Sequence, residues 1–261
     1  MMLISALSGA VVGVLAGLLG IGGGLIIVPI LFVLLPAMQI VPVEHAMLVA
    51  VATSLASIII TSSSSVLAHH KRSNVPWDIA GAIMFGAAIG AWSAGYLAHH
   101  INGSTLKLIF GCSVLLIALR MLGSRSVVGM ASLPAKAPLA ALTSVLGAIS
   151  SLLGIGGGAL IVPVLNYFSV DMRRAIGCAA AAGIAIAVFG TLGYVLAGWQ
   201  QYPLSAGFFG YIYLPALLGI VCTSVFTTSI GAALTQRLPL LAIKRVFGVF
   251  LMLIGARMIF S

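Results

Sequence analysis

Charge is scarce in this 261-residue chain, and negative charge is nearly absent. Only 6% of residues are charged, with 12 Lys and Arg set against three acids, Glu44, Asp78 and Asp171. A water-exposed surface needs far more charge, which excludes a soluble domain. With 62% hydrophobic residues and a mean hydropathy of +1.26, the composition is that of a multi-span integral membrane protein embedded in the lipid bilayer. A net charge of +9 would suggest nucleic acid in a soluble chain. Here the basic residues fall between apolar runs, where they act as topology signals, and no nucleic-acid partner is expected.

The shortage of acids bears on function. Cation pumps and many proton-coupled carriers keep a carboxylate inside the membrane. All three acids here stand at segment edges. Glu44 and Asp171 precede the second helix of each half, where N-terminal capping explains them. A carboxylate cation site is therefore not expected, and a neutral or anionic substrate is favoured. The three cysteines, Cys112, Cys178 and Cys222, have no paired spacing; they suggest small buried hydrophobes and no disulfide framework. The chain has no HExxH and no G-x-S-x-G, and its Gly-rich stretches are not followed by the Lys-Ser/Thr of a P-loop. No enzyme, cofactor or metal site is expected. His69-His70 and His99-His100 lie at opposite ends of one apolar segment and cannot share an ion. His45, beside Glu44, is a lone candidate for proton handling. Trp77, Trp92, Trp199 and Tyr202 suggest interfacial anchors.

What is abundant is glycine, in one doubled stretch. Leu18-Leu19-Gly20-Ile21-Gly22-Gly23-Gly24, followed by Pro29, returns as Leu152-Leu153-Gly154-Ile155-Gly156-Gly157-Gly158, followed by Pro163. Each Gly inside a helix costs roughly 1 kcal/mol relative to Ala, so each copy predicts a helix broken in the middle. Apolar segments run over 3–36 (broken at 20–24), 46–68, 79–98 and 106–122. A basic linker, 123–138, leads to 139–168 (broken at 154–158), 175–197, 206–235 and 241–260. Residues 1–17 resemble a signal-peptide core but lack a basic start, and are expected to be part of the fold. The last segments of each half also match: Lys107, Gly111, Arg120 and Met121 correspond to Lys244, Gly248, Arg257 and Met258. The expected fold is all-α integral membrane, two four-segment repeats over 1–122 and 139–261, each opening with a Gly-broken helix.

The positive-inside rule suggests how the repeats relate. Eight plain crossings would divide the basic residues evenly between the two sides. If each broken segment enters and leaves on one side, only Lys107 and Arg257 are separated from the other ten. Inverted repeats are therefore expected, with both termini outside and the linker cytoplasmic.

Non-helical backbone at membrane depth is tolerated where it is buried or lines a polar cavity. A half-helix that begins there offers free N–H groups and the positive end of its dipole. Gly22, Gly23 and Gly24 with Gly156, Gly157 and Gly158 thus form two facing candidate sites for one small oxyanion. The alternative is that the glycines only allow tight helix packing. Thr53 and Ser54 are the hydroxyls best placed to add hydrogen bonds; the alternative is that they bond helix backbone.

Two copies of L-x-G-x-G-G-G-x-x-x-V-P, an A-x-x-T-S pattern ending at Ser54 and a short basic middle loop resemble the sulfite exporter TauE/SafE family. The resemblance covers essentially the whole chain. It implies a multi-pass permease of the prokaryotic plasma membrane that carries sulfite, sulfonates or other small organic anions, driven by an ion gradient. By this resemblance the glycine motifs, Thr53 and Ser54 are substrate-binding. The second half departs from the pattern with Cys178-Ala179, so Cys178 would make the site asymmetric. The expected mechanism is alternating access, one repeat rocking against the other. A homodimer is left open, as are a channel for a small neutral solute and a non-transporting assembly protein.

Overall fold

The computed structural model describes residues 9, 10, 14, 23–123, 129, 131–235 and 240–260. These residues are overwhelmingly helical. Helix α1 is Gly24–Ala37, α2 Val43–Lys71, α3 Trp77–Leu97, α4 Gly103–Gly123, α5 Lys136–Leu152, α6 Gly158–Tyr167 and α7 Met172–Gly198. A small hairpin, β1 (Phe208–Phe209) with β2 (Ile212–Tyr213), then leads into α8, Leu214–Thr235, and α9, Leu240–Phe260. Four of these, α2, α3, α4 and α7, are long and apolar enough to cross a membrane, and the chain is a multi-pass all-α membrane protein.

The two longest helices form the centre. The first half of α2, from Ala46 to Ile58, is buried throughout, and α7 is buried along most of its length. They pack against each other in opposite directions. Gly177, near the start of α7, lies against the carbonyl of Asn74, just past the end of α2. His45, at the start of α2, bonds Tyr202, just past the end of α7. The α4–α9 pair is also antiparallel, and its contacts come in matched sets. Gly111 meets Gly255 and Ile259, and Gly248 meets Ala118 and Leu122. Adding the 137-residue offset of the sequence match to Gly111, Ala118 and Leu122 gives Gly248, Gly255 and Ile259.

Helix directions sort the basic side chains. At the end of the bundle where α2 stops lie Lys71, Arg72, Lys136, Arg173 and Arg174. Helix α4 starts at the opposite end, with Gly103 against the Glu44 carbonyl. It therefore brings Arg120 to the Lys71 end, and antiparallel α9 brings Arg245 there too. Lys107 and Arg257 stand at the opposite end. Arg125, Arg237 and the Lys244 side chain lie outside the described residues.

Close approach is made by small residues. On α3, Gly86 and Gly90 lie against the backbone of Ala140 and Ser144 in α5, and Gly147 of α5 lies against Ala87. Further along α3, Gly95 meets Gly190 of α7. Membrane helices lack a hydrophobic drive to associate, and small residues let backbones make close van der Waals contact.

The ends of several elements differ from the sequence expectation. Helix α5 starts at Lys136, because Pro138 is tolerated in a first turn. Helix α8 starts only at Leu214: Gly207 and Gly210 take left-handed backbone (φ +81° and +60°), and the aromatic stretch between them and α8 pairs as a hairpin. Cys112 and Cys222 face outward, and only Cys178 is buried. Asp171 caps α7, accepting from the Arg173 N–H at 3.0 Å. Glu44 sits in the first turn of α2 without a side-chain cap bond.

Candidate functional site

The second glycine stretch is described in full. Helix α5 stops at Leu152 and α6 starts at Gly158. Between them Gly154 turns at φ +62°, and the Ile155 N–H returns to the Ser150 carbonyl at 3.0 Å. The Ile161 N–H is the first in α6 to find a carbonyl one turn back, that of Gly157 at 2.8 Å. The N–H groups at Gly158, Ala159 and Leu160 have no place in that ladder. Both outer ends of this α5–α6 pair reach the Lys71 end of the bundle. There the Gly129 N–H donates to Asn166 O at 3.1 Å and Ser169 Oγ donates to Ala131 O at 3.1 Å.

The first stretch is described only from Gly23; Gly20 and Gly22 lie outside the described residues. Gly23 accepts from the N–H groups of Ile26 and Ile27, each at 3.0 Å, and α1 proceeds from Gly24. The two stretches meet. The open side of Gly24 faces the carbonyl of Gly154 and the Cα of Ile155, and a side chain at 24 would collide with both. Gly23, Gly24, Gly156 and Gly157 are buried and Gly158 is half-buried. Gly157 packs on Ala179 and Ala182 of α7.

Helix α2 ties this region together through its hydroxyls. Ser54 Oγ donates to Gly154 O at 2.8 Å, so the hydroxyl holds the turn itself. Thr53 Oγ1 accepts from the Tyr213 N–H at 3.1 Å. That contact lies roughly 15 Å along α2 from its start, at 1.5 Å per residue. The hairpin thus carries non-helical backbone deep into the bundle, and Thr53 supplies the acceptor a buried N–H requires. Ser57 Oγ returns to Ser54 O at 2.7 Å. Cys178, buried on α7, makes no hydrogen bond among the described residues.

Three features here go beyond the sequence reading. Ser62 faces α6 and α7: its Oγ lies 2.9 Å from where a Cβ on Gly183 would stand and 4.0 Å from the same point on Gly156. Gly183 and Gly190 form a bare seam on α7, with Leu55 3.1 Å from a Cβ on Gly190. Their spacing of two helical turns was the available signal. The third is Tyr202, which is not a free interfacial anchor. Its hydroxyl meets His45 Nδ1 at 2.7 Å and its ring stacks on Phe208. Burial, with Tyr211 nearby, pushes its pKa up to about 12, so it keeps its proton and can donate to His45. Trp77, Trp92 and Trp199 are exposed, as anchors are. The two histidine pairs stand at opposite ends of α3.

Comparison with known proteins identifies the family. The family model described as Sulfite exporter TauE/SafE matches residues 5–258. A probable membrane transporter protein of Haemophilus influenzae is 38% identical over 265 residues, covering 98% of this chain and 97% of that protein. One of Methanocaldococcus jannaschii is 28% identical, covering 94% and 93%. One of Bacillus subtilis is 25% identical, covering 97% and 95%. No solved structure matches the chain. The match spans nearly all of the chain, both glycine stretches included, and this membrane protein belongs to the sulfite exporter TauE/SafE family of transporters.

Proposed function

We propose that the protein is a secondary transporter that moves a small anion, such as sulfite or an organosulfonate, across the prokaryotic plasma membrane by alternating access. The observation that carries this reading is the meeting of two half-helix starts. Helices α1 and α6 both begin at glycines inside the bundle, and Gly24 touches the Gly154 turn. Each start offers unpaired N–H groups and a positive dipole end, which favour an anion. Gly23, Gly24, Gly156, Gly157 and Gly158 form the cradle, and the sequence motif adds Gly22 to it. Thr53 and Ser54 shape it from α2, and Cys178 borders it from α7. The scarcity of acids fits a negatively charged cargo.

The topology we propose is two inverted repeats, 1–122 and 139–261, joined by a cytoplasmic linker, 123–138. Each glycine-broken segment is re-entrant. The antiparallel runs of α2 against α7 and of α4 against α9 support inversion, because these are matching segments of the two repeats. The gathering of Lys71, Arg72, Arg120, Lys136, Arg173, Arg174 and Arg245 at one end supports placing that end in the cytoplasm.

The test is flux in proteoliposomes loaded with sulfite, sulfate, thiosulfate or a short sulfonate under an imposed pH gradient. Saturable, gradient-driven movement of one anion is expected. Movement indifferent to pH and potential would favour a facilitator for a neutral solute, and no anion flux at all would remove the substrate class.

A further inference from the structure

Sequence neighbours and packing neighbours differ in this fold. Helices α2 and α3 are joined by 72–76, yet α3 packs along α5 and α7, from the other half of the chain. The contacts are backbone-close: Gly86 and Gly90 on Ala140 and Ser144, Gly147 on Ala87, and Gly193 on Trp92 and Tyr96. The mirror exchange occurs on the other side. Helix α8 packs on α2, and Gly9 lies against Ile220 and Thr223 of α8.

We infer that the bodies that move in transport are helix-exchanged: α3 travels with α5, α6 and α7, while α8 travels with α1 and α2. The inference rests on the alternating-access reading above. Interdigitated glycine seams with backbone in contact have no slack for sliding, because tightly packed interfaces repack in discrete steps. The surface between the two bodies is then the α2–α7 seam, where Gly183 faces Ser62 and Gly190 faces Leu55, and the point where α1 and α2 press on the Gly154 turn, through Gly24 and the Ser54 hydroxyl, is the pivot about which the bodies rock.

Two connectors cross that seam, one at each end of the bundle. The first is 72–76, with Asn74 on Gly177. The second is 199–213. It rides on α7 through close backbone contacts, Tyr211 on Gly198 and Gly210 on Val195. It holds α2 through two hydrogen bonds, Tyr213 N–H to Thr53 Oγ1 at 3.1 Å and Tyr202 to His45 at 2.7 Å. Opening this end releases those two bonds and leaves the glycine contacts intact, so 199–213 is a strap over the seam.

Spin labels joined through thioether bonds, which sulfite does not cleave, to cysteines placed at Val43, Leu97 and Leu196 test this in the full chain in liposomes, with the outward-facing Cys112 and Cys222 replaced and the buried Cys178 kept. All three sites are exposed and sit at one end of the bundle, on α2, α3 and α7. Electron–electron distances are compared with and without saturating sulfite and a pH gradient. The 97–196 distance is expected to hold, while 43–97 and 43–196 shift together by more than the width of the resting distributions. A constant 43–97 distance with a shifting 97–196 distance would mean that the sequence halves move as units, and would overturn the exchange alone. Sulfite flux with all three distances fixed would also overturn it. No flux for any anion in the same liposomes would overturn the transport reading and this inference with it.

Discussion

Helices α2 and α7 occupy matching places in the two proposed repeats, yet α2 presents hydroxyls where α7 presents bare backbone. Ser54 of α2 reaches across to hold Gly154, and Thr53 beside it holds the strap. The matching positions on α7 are Ala179 and Cys178, which hold nothing by hydrogen bond among the described residues. Helix α7 contributes clearance instead, through Gly183 and Gly190. In the proposed two-repeat plan the labour is divided: α2 supplies polar ties and α7 the smooth surface they act across. Under the proposed function, this asymmetry would let the anion meet different chemistry on its two sides.

That contrast can be broken most severely at the glycines. Gly24→Leu drives a side chain into the Gly154 carbonyl and is expected to reduce anion flux to background; wild-type flux would show that the two stretches are not pressed together in the working protein. Next in size is the α7 seam. Gly190→Leu would overlap Ser151 and Leu55, an overpacking that typically costs 1–3 kcal/mol, about as much as unfolding midpoints in detergent can resolve well. Ser54→Ala leaves the buried Gly154 carbonyl without its donor, a loss of about 1–3 kcal/mol by the same measurement, while Cys178→Ala on the matching face is expected to cost less, about 1 kcal/mol. Equal losses in the two variants would erase the proposed division between the helices. The smallest effect concerns the strap. Thr53→Val removes the acceptor for the Tyr213 N–H and should raise the hydrogen-exchange rate of residues 208–213, whereas Thr53→Ser should leave it near wild type.

Composition alone dictated the membrane class, and the second glycine stretch falls where α5 ends at Leu152 and α6 starts at Gly158. The partners of those glycines were not legible. Gly24 finds Gly154 across 130 positions, and no local pattern encodes such a meeting. The exchange of α3 was hidden for a related reason. Its lipid-facing and protein-facing sides are both apolar, so periodicity could not mark the face that carries Gly86 and Gly90. The hairpin before α8 was lost in an apolar run that looked helical from 206, although Gly207, Gly210 and the aromatic residues around them are the chemistry of a turn between strands. Thr53 and Ser54 were singled out as ligands for their depth, and the structure shows that both also carry a definite backbone partner.

Direct binding of radiolabelled sulfite to the purified protein, wild type beside Gly157→Leu, tests the proposed anion cradle most closely. A side chain at 157 would crowd Ala179 and Ile161 at the start of α6 without touching the lipid-facing surface. Saturable binding to the wild type, displaced by unlabelled sulfite and absent from a folded, inserted Gly157→Leu protein, is the predicted result. Equal binding by both proteins would contradict an anion held at the glycine breaks.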